Sequence, residues 1–175
     1  MTSSPTPSDV VAAYRKRIAG YLGDQDPLHV LERTPVQARA LVREHGVARL
    51  RVRPIEGKWT PLEVLGHLCD CEWVYGYRTR LILCEDNPTL MAMDQDGWVA
   101  AQRHNERDPI ELAEQFSALR KHNLQFWHGL TVQELERTGL HNERGPESLG
   151  LLRTLIAGHD LLHLDQMKRL LMAIV

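Results

Sequence analysis

The chain has 175 residues, of which 43% are apolar and 25% are charged, and its formal net charge is −2. This length is typical of one domain with a single hydrophobic core. The near-neutral charge argues against the strongly basic surface of a nucleic-acid-binding protein, so we expect no nucleic-acid partner. Charged residues and histidines interrupt the most apolar region, residues 149–175, so we also expect no membrane-spanning segment.

The cysteines and the first residues of the chain bear on its compartment. Cys69, Cys71 and Cys84 are an odd and sparse set, and the polar, Pro/Ser-rich start lacks the basic and apolar segments of a secretory signal. Such a set indicates reduced thiols rather than a disulfide framework. We therefore expect a cytoplasmic protein with one domain over residues 1–175, in which residues 1–8 form a flexible tail.

Apolar residues recur every three or four positions, which indicates helices, and alternation with a period of two is nearly absent. Capping residues mark the helix starts, as in residues 60–63 (TPLE), where a hydroxyl, a proline and a glutamate suit the first turn. Four main helices with long connections predict an all-α fold, a four-helix bundle with crossover connections. The predicted helices cover about residues 8–21, 27–45 (broken), 61–84, 94–105, 109–127 and 149–174, with loops at 46–58 and 139–147.

Nine histidines are many for this length, and three of them lie on apolar faces of predicted helices. His159 and His163 are four residues apart, so they share the inward face of the last helix, and His67 lies on the apolar face of the helix from Pro61. Buried imidazoles without partners are costly, whereas a divalent metal ion uses their lone pairs. The three histidines are therefore candidate ligands of one divalent transition metal ion, zinc or nickel rather than magnesium or calcium. The alternative is a set of core histidines that bond to backbone or carboxylate groups.

Two motifs resemble those of the DinB-like (DNA-damage-inducible) superfamily. The first is residues 57–70 (GKWTPLEVLGHLCD), and the second is residues 145–148 (GPES) followed by residues 159–166 (HDLLHLDQ). The resemblance covers nearly the whole chain and implies a DinB-like bundle with crossovers, often dimeric, in which His67, His159 and His163 bind the metal. It does not imply DNA binding.

Residues near the three histidines are candidates for supporting roles. Asp70 lies three positions after His67 and could accept a hydrogen bond from a metal-bound imidazole, while Asp160 and Gln166 are weaker candidates of the same kind. Cys71 is interpreted as a small buried side chain, although as a fourth ligand it would close the site. Arg78 lies on the His67 side of its helix and could contact an anionic substrate, but a surface salt bridge is the favoured interpretation. The other six histidines are predicted to be ordinary surface residues: His29, His45, His104, His122, His128 and His141.

Three functions follow from such a site. Some members of the resembling family are thiol S-transferases that use bacillithiol or mycothiol, which implies a small-molecule thiol and an electrophile as substrates, with the thiol activated by the metal. A metal-dependent hydrolase would use the same site to activate water. A bundle that only binds a metal or a ligand, without catalysis, is the third possibility. The transferase is the main prediction, and a homodimer is plausible from the resemblance.

Overall fold

The structure, a computed structural model, describes residues 6–174. Residues 1–5 of the predicted tail lie outside the described part. The other residues of that tail are ordered, because helix begins at Pro7 and Thr6 is its N-cap, which forms a reciprocal capping box with Asp9. The helices are α1 (Pro7–Leu22), α2 (Pro27–Leu50), α3 (Pro61–Cys84), α4 (Gln95–Ala101), α5 (Pro109–Gly129), α6 (Val132–Glu136) and α7 (Leu149–Met172), with a 3₁₀ turn at His104–Glu106.

The predicted four-helix bundle is confirmed, and its four helices are α2, α3, α5 and α7. Helix α2 packs on α5 and α7, and α3 packs on the same two helices, whereas α2 and α3 touch little. Consecutive helices α2 and α3 therefore lie diagonally across the bundle, as do α5 and α7, so the connections cross its ends. Helix α1 packs along α7 on the outside.

Four segments differ from the sequence prediction. The helix predicted over residues 94–105 is shorter, since α4 ends at Ala101 and a separate 3₁₀ turn follows, and α6 was not among the predicted helices. Helix α2 does not end at His45: the chain kinks at Gly46, whose φ of 70° suits glycine, and then continues as helix to Leu50. The predicted loop 139–147 is mostly a hairpin of strands β2 (Thr138–His141) and β3 (Gly145–Ser148), and β1 (Thr89–Leu90) pairs with β2 in parallel. This small sheet leads directly into Ser148, the N-cap of α7.

The apolar core of the bundle has two main clusters, and the three candidate histidines lie where they meet. One cluster includes Leu68 and Leu164, and the other includes Cys71 and Ala157. No helix in the described range 6–174 is long and apolar enough to cross a membrane.

Two glycines allow the close contacts beside these histidines. A Cβ at Gly158 would lie 2.4 Å from the backbone oxygen of Ile18 in α1, and a Cβ at Gly66 would lie 2.2 Å from the ring of His104. Each glycine immediately precedes a candidate ligand, His159 or His67. The glycines therefore let α1 and the 3₁₀ turn approach the helices that carry the site.

Candidate metal centre

The three predicted histidines converge on one point between α3 and α7. The Nε2 atom of His159 lies 3.2 Å from Nε2 of His67 and 3.0 Å from Nε2 of His163. All three side chains are buried, with relative exposures of 1 to 7%. The structure therefore brings together the three residues that the sequence analysis selected, and it points the same ring nitrogen of each toward the others.

The three imidazoles are held in the neutral form that metal binding requires. Burial lowers the pKa of His67 to about 3 and the pKa of His163 to about 4, and it holds the pKa of His159 well below its usual value. The mutual repulsion of the charged rings lowers the values for His67 and His159 further. Lone pairs on these rings are thus available at neutral pH.

The distances fit one shared metal ion. Imidazole nitrogens bind zinc at about 2.0–2.1 Å, so two ligands of one ion lie about 3.3 Å apart in a tetrahedral site and about 2.9 Å apart in an octahedral one. The observed 3.0 and 3.2 Å fall between these values. In addition, Nε2 of His159 faces the Nε2 atoms of both His67 and His163, and a neutral imidazole nitrogen is either a donor or an acceptor but not both, so hydrogen bonds alone satisfy this cluster poorly. The three histidines fit a metal better than they fit a hydrogen-bonded core.

Cys71 lies next to this triad. Its Sγ atom is 3.5 Å from Nε2 of His67, and ligand atoms of His67, Cys71 and His159 all lie within 4.8 Å of one another. This set overlaps with the three-histidine set but leaves out His163. Burial raises the pKa of the Cys71 thiol well above its usual value, and nearby carboxylates raise it further. We favour the three histidines because neutral imidazole nitrogens need not lose a proton to bind a metal, whereas the Cys71 thiol must.

Of the predicted supporting residues, Gln166 contacts a candidate ligand. Its Oε1 atom lies 2.8 Å from Nδ1 of His163, so with this amide orientation Nδ1 donates the hydrogen bond and Nε2 is left with its lone pair.

The roles predicted for Asp70 and Asp160 need correction. Asp70 is bonded to His104 and Gln102 instead of a triad histidine, and Asp160 is bonded to Arg120.

Arg120 is the centre of a buried ionic network that links the helices around the site. It donates to Glu72 on α3 at 2.7 Å, to Asp160 on α7 at 2.6 Å and to the backbone oxygen of Leu31 on α2 at 2.9 Å. Its own side chain is 2% exposed. Since Glu72 follows Cys71 and Asp160 follows His159, the network fixes α3 and α7 relative to each other at the level of the triad.

Two cavities adjoin the triad. The outer pocket, with a volume of about 490 Å³, is lined by His159 and His163 together with Trp59 and Asp96. The inner cavity, of about 90 Å³, is lined by His67 and His159 on one side. His159, Tyr14 and Gln95 line both spaces, so the triad lies where they meet. This arrangement gives a small molecule access to the ring nitrogens.

Sequence analysis missed several residues around the site. His104 and His141 are not surface residues as predicted, because each is only 1% exposed. His104 is buried by its bond to Asp70, and His141 by the hairpin, where Nδ1 accepts hydrogen bonds from two backbone N–H groups. Asp96, which lies at the start of the helix predicted over residues 94–105, was not selected, although it lines the outer pocket. Its position after Asp94 on a short helix gave no signal for this role.

The fold and the site define a class of protein: a mainly helical four-helix bundle with a buried histidine triad beside a pocket. The sequence model of the DinB superfamily matches residues 30–167, which include all three histidines. The chain belongs to the DinB superfamily, as the two motifs predicted.

A solved structure and several relatives agree with this assignment. YfiT from Bacillus subtilis, described as "a probable metal-dependent hydrolase with an unusual four-helix bundle topology", superposes with a TM-score of 0.73 at 20% identity, over 97% of this chain and 91% of that one. A "putative metal-dependent hydrolase" from Oceanobacillus iheyensis is 31% identical over 109 residues, which are 62% of each chain. One of the same name from Bacillus cereus is 28% identical over 108 residues, or 61% of each chain. The match thus spans about three fifths of the length of these relatives.

Proposed function

We propose that this protein is a metal-dependent hydrolase with one divalent ion held by His67, His159 and His163. The observation that carries the proposal is the convergence of three neutral imidazole nitrogens, 3.0 and 3.2 Å apart, beside a pocket of about 490 Å³. The names of the relatives support the same reaction class. A divalent ion with three protein ligands supplies Lewis-acid chemistry, since it polarises a carbonyl or phosphoryl oxygen and lowers the pKa of water.

The residues of the outer pocket supply the remaining functions of such a site. Asp96 is the one carboxylate among the described residues that line this pocket, and we assign it as the acceptor of a proton from the attacking water. Tyr14 lines both cavities, and burial raises the pKa of its hydroxyl, which therefore stays protonated and can donate a hydrogen bond to a substrate oxygen. Trp59 packs against the His67 ring, with centroids 4.8 Å apart, and shields one side of the triad.

The three imidazole donors also bear on the identity of the metal ion. Three imidazoles favour zinc or nickel over magnesium or calcium. Transfer of a small thiol to an electrophile, a cytoplasmic location and a homodimer stay predictions from the sequence and its resemblance. The hydrolase is preferred over the transferase because the names of the relatives describe hydrolysis.

A panel of ester, amide and phosphate substrates tests the proposal. We expect turnover that a chelator abolishes and that added zinc or nickel restores. His67→Ala should reduce turnover to background, and Asp96→Asn should lower kcat about 10²–10⁴-fold with the metal still bound. His29→Ala is the matched control, since this side chain is 62% exposed and outside the site.

Three results would contradict parts of the proposal. Hydrolysis that is the same with and without metal would overturn the hydrolase assignment. Thiol-dependent consumption of an electrophile, with no hydrolysis of any substrate in the panel, would favour the transferase. Full activity of Asp96→Asn would overturn only the role of Asp96.

A further inference from the structure

The inner cavity has a different chemical character from the outer pocket. Besides His67 and His159, it is lined by Arg78, Arg144 and Tyr75. None of the described residues that line it is acidic. The cavity beside the candidate metal site is therefore lined by two arginines and two tyrosines, the second of which is Tyr14.

Arg78 is buried without a partner for its charge. Its side chain is 4% exposed, and it donates one hydrogen bond, to the backbone oxygen of Met91. Its Nε atom is buried with no hydrogen-bond partner, and no carboxylate lies within 4.0 Å of it in the part of the chain that the structure describes. The surface salt bridge predicted for Arg78 is therefore wrong.

The second buried arginine provides a direct comparison. Arg120 is as buried as Arg78, but it pairs with Glu72 and Asp160. A buried charge without a counterion is strongly unfavourable. Proteins therefore normally pair such a charge with an opposite one or use it to bind a ligand. Arg78 is thus the charged side chain beside the triad whose donors are left free for a ligand.

The guanidinium carbon of Arg78 lies 5.4 Å from the centroid of the Tyr75 ring, which is a cation–π contact but supplies no negative charge. Arg144 forms a bidentate pair with Glu147, at 2.6 and 2.9 Å, so that carboxylate is already shared with Arg144. Burial lowers the pKa of Arg78, and the charge of Arg144 lowers it further, as expected for two cations in one buried region. An anion in the cavity would relieve this repulsion.

We propose that the inner cavity binds a carboxylate-sized oxyanion group of the substrate and that Arg78 is the residue that recognises it. A volume of about 90 Å³ suits such a group, because an engineered apolar cavity of about 150 Å³ holds benzene. Guanidinium groups bind oxyanions through two parallel hydrogen bonds, and Nε is one of the donors that they use. The proposal rests on the proposed function in one respect, since it places the reacting bond of an anionic substrate at the triad.

Nuclear magnetic resonance of the arginine Nε–H groups tests this inference without an activity assay. The purified protein is titrated with propionate, with phosphate and with neutral propionamide, at constant ionic strength. We expect the Arg78 Nε–H signal to shift saturably with propionate but not with propionamide, while the Arg120 signal stays fixed because its donors are occupied. A saturable shift with phosphate and none with propionate would overturn the assignment to a carboxylate-sized group.

Two variants test whether propionate binds at Arg78 itself or responds to the loss of any arginine on this helix. Arg78→Met should weaken propionate binding, read from the Met93 amide in the same cavity, at least about tenfold. Arg80→Met is the matched control, since Arg80 lies on the same helix but contacts Asn123 and His122, and its affinity should equal that of wild type. Equal shifts with propionate and propionamide in wild type would overturn the proposal, whether or not Arg78→Met folds.

The same titration on His163→Ala keeps the two proposals distinguishable, because His163 is a proposed metal ligand that is not among the residues lining the inner cavity. Binding of propionate that persists in this variant after treatment with a chelator shows that Arg78, and not a bound metal, holds the anion. A wild-type protein that binds metal but shows no Arg78 shift would refute the anion site and leave the hydrolase standing. Loss of the propionate shift in His163→Ala would assign the anion to the metal and refute the role of Arg78.

Discussion

The substitution Arg120→Met removes the cation at the centre of the buried ionic network. Its hydrogen bonds to Glu72, Asp160 and the backbone oxygen of Leu31 are lost together, and both carboxylates stay buried, with side-chain exposures of 3 and 2%. Solvent at this depth cannot replace the lost partner. Breaking a buried ion pair by removal of one member costs about 3–5 kcal/mol, and we expect the free energy of unfolding to fall by that amount.

Urea unfolding at pH 7 measures the effect, with an exposed ion pair as the control. Arg169 is 61% exposed and pairs with Asp165 at 3.0 Å, so Arg169→Met should change the free energy of unfolding by about 0–1 kcal/mol. A loss of less than about 1 kcal/mol for Arg120→Met, equal to that of the control, would refute the reasoning.

The pH dependence of Arg120→Met provides a second signature. Burial already raises the pKa of Asp160 in the wild-type protein, and removal of Arg120 takes away the positive charge that opposes this rise. The folded variant then binds more protons than the unfolded chain, so its stability falls as the pH rises. We expect the difference between wild type and variant to shrink as the pH is lowered below neutrality. A difference that grows on acidification would contradict the assignment.

Three further predictions follow from the fold and the site. Gly158→Ala places a methyl group 2.4 Å from the backbone oxygen of Ile18 and should lower the free energy of unfolding in urea by about 1–3 kcal/mol. Burial, with the charges of Arg144 and Arg78, lowers the pKa of His141 to about 4. The stability that depends on neutral His141 is therefore fully present above pH 6.5 and is lost as the pH falls toward 4, so the free energy of unfolding of His141→Gln should depend less on pH over this range. Cobalt-substituted protein should lack strong thiolate-to-metal absorption bands. If wild type showed these bands and Cys71→Ser did not, Cys71 would be a metal ligand.

Local signals explain why the helices were predictable. The capping box at Thr60 and Glu63 and the proline at position 61 lie within four residues, so the start of α3 was predicted at Pro61, where the structure has it. The hairpin was missed because its strands have four residues each and one contains Pro146, which leaves too short a stretch for alternation to be recognised.

Contacts between distant residues explain what was missed at the site. The sequence placed Asp70 near His67 on α3, but its partner His104 is 34 residues away and reaches it through the 3₁₀ turn. The partners of Arg120 are 40 to 89 residues distant, and no local pattern indicates such a network. By contrast, His159 and His163 are neighbours on one helix face, and the family motifs connected them to His67.

Metal analysis of the native protein tests the central claim most directly. Wild type and the His67→Ala/His159→Ala variant are purified without added metal or chelator, with His29→Ala as the control, and their folding is checked by circular dichroism. We predict about one zinc or nickel ion per chain in wild type and in the control, and none in the folded double variant. Absence of metal from wild type even after reconstitution, or retention of a full equivalent in the double variant, would contradict the assignment of the three histidines.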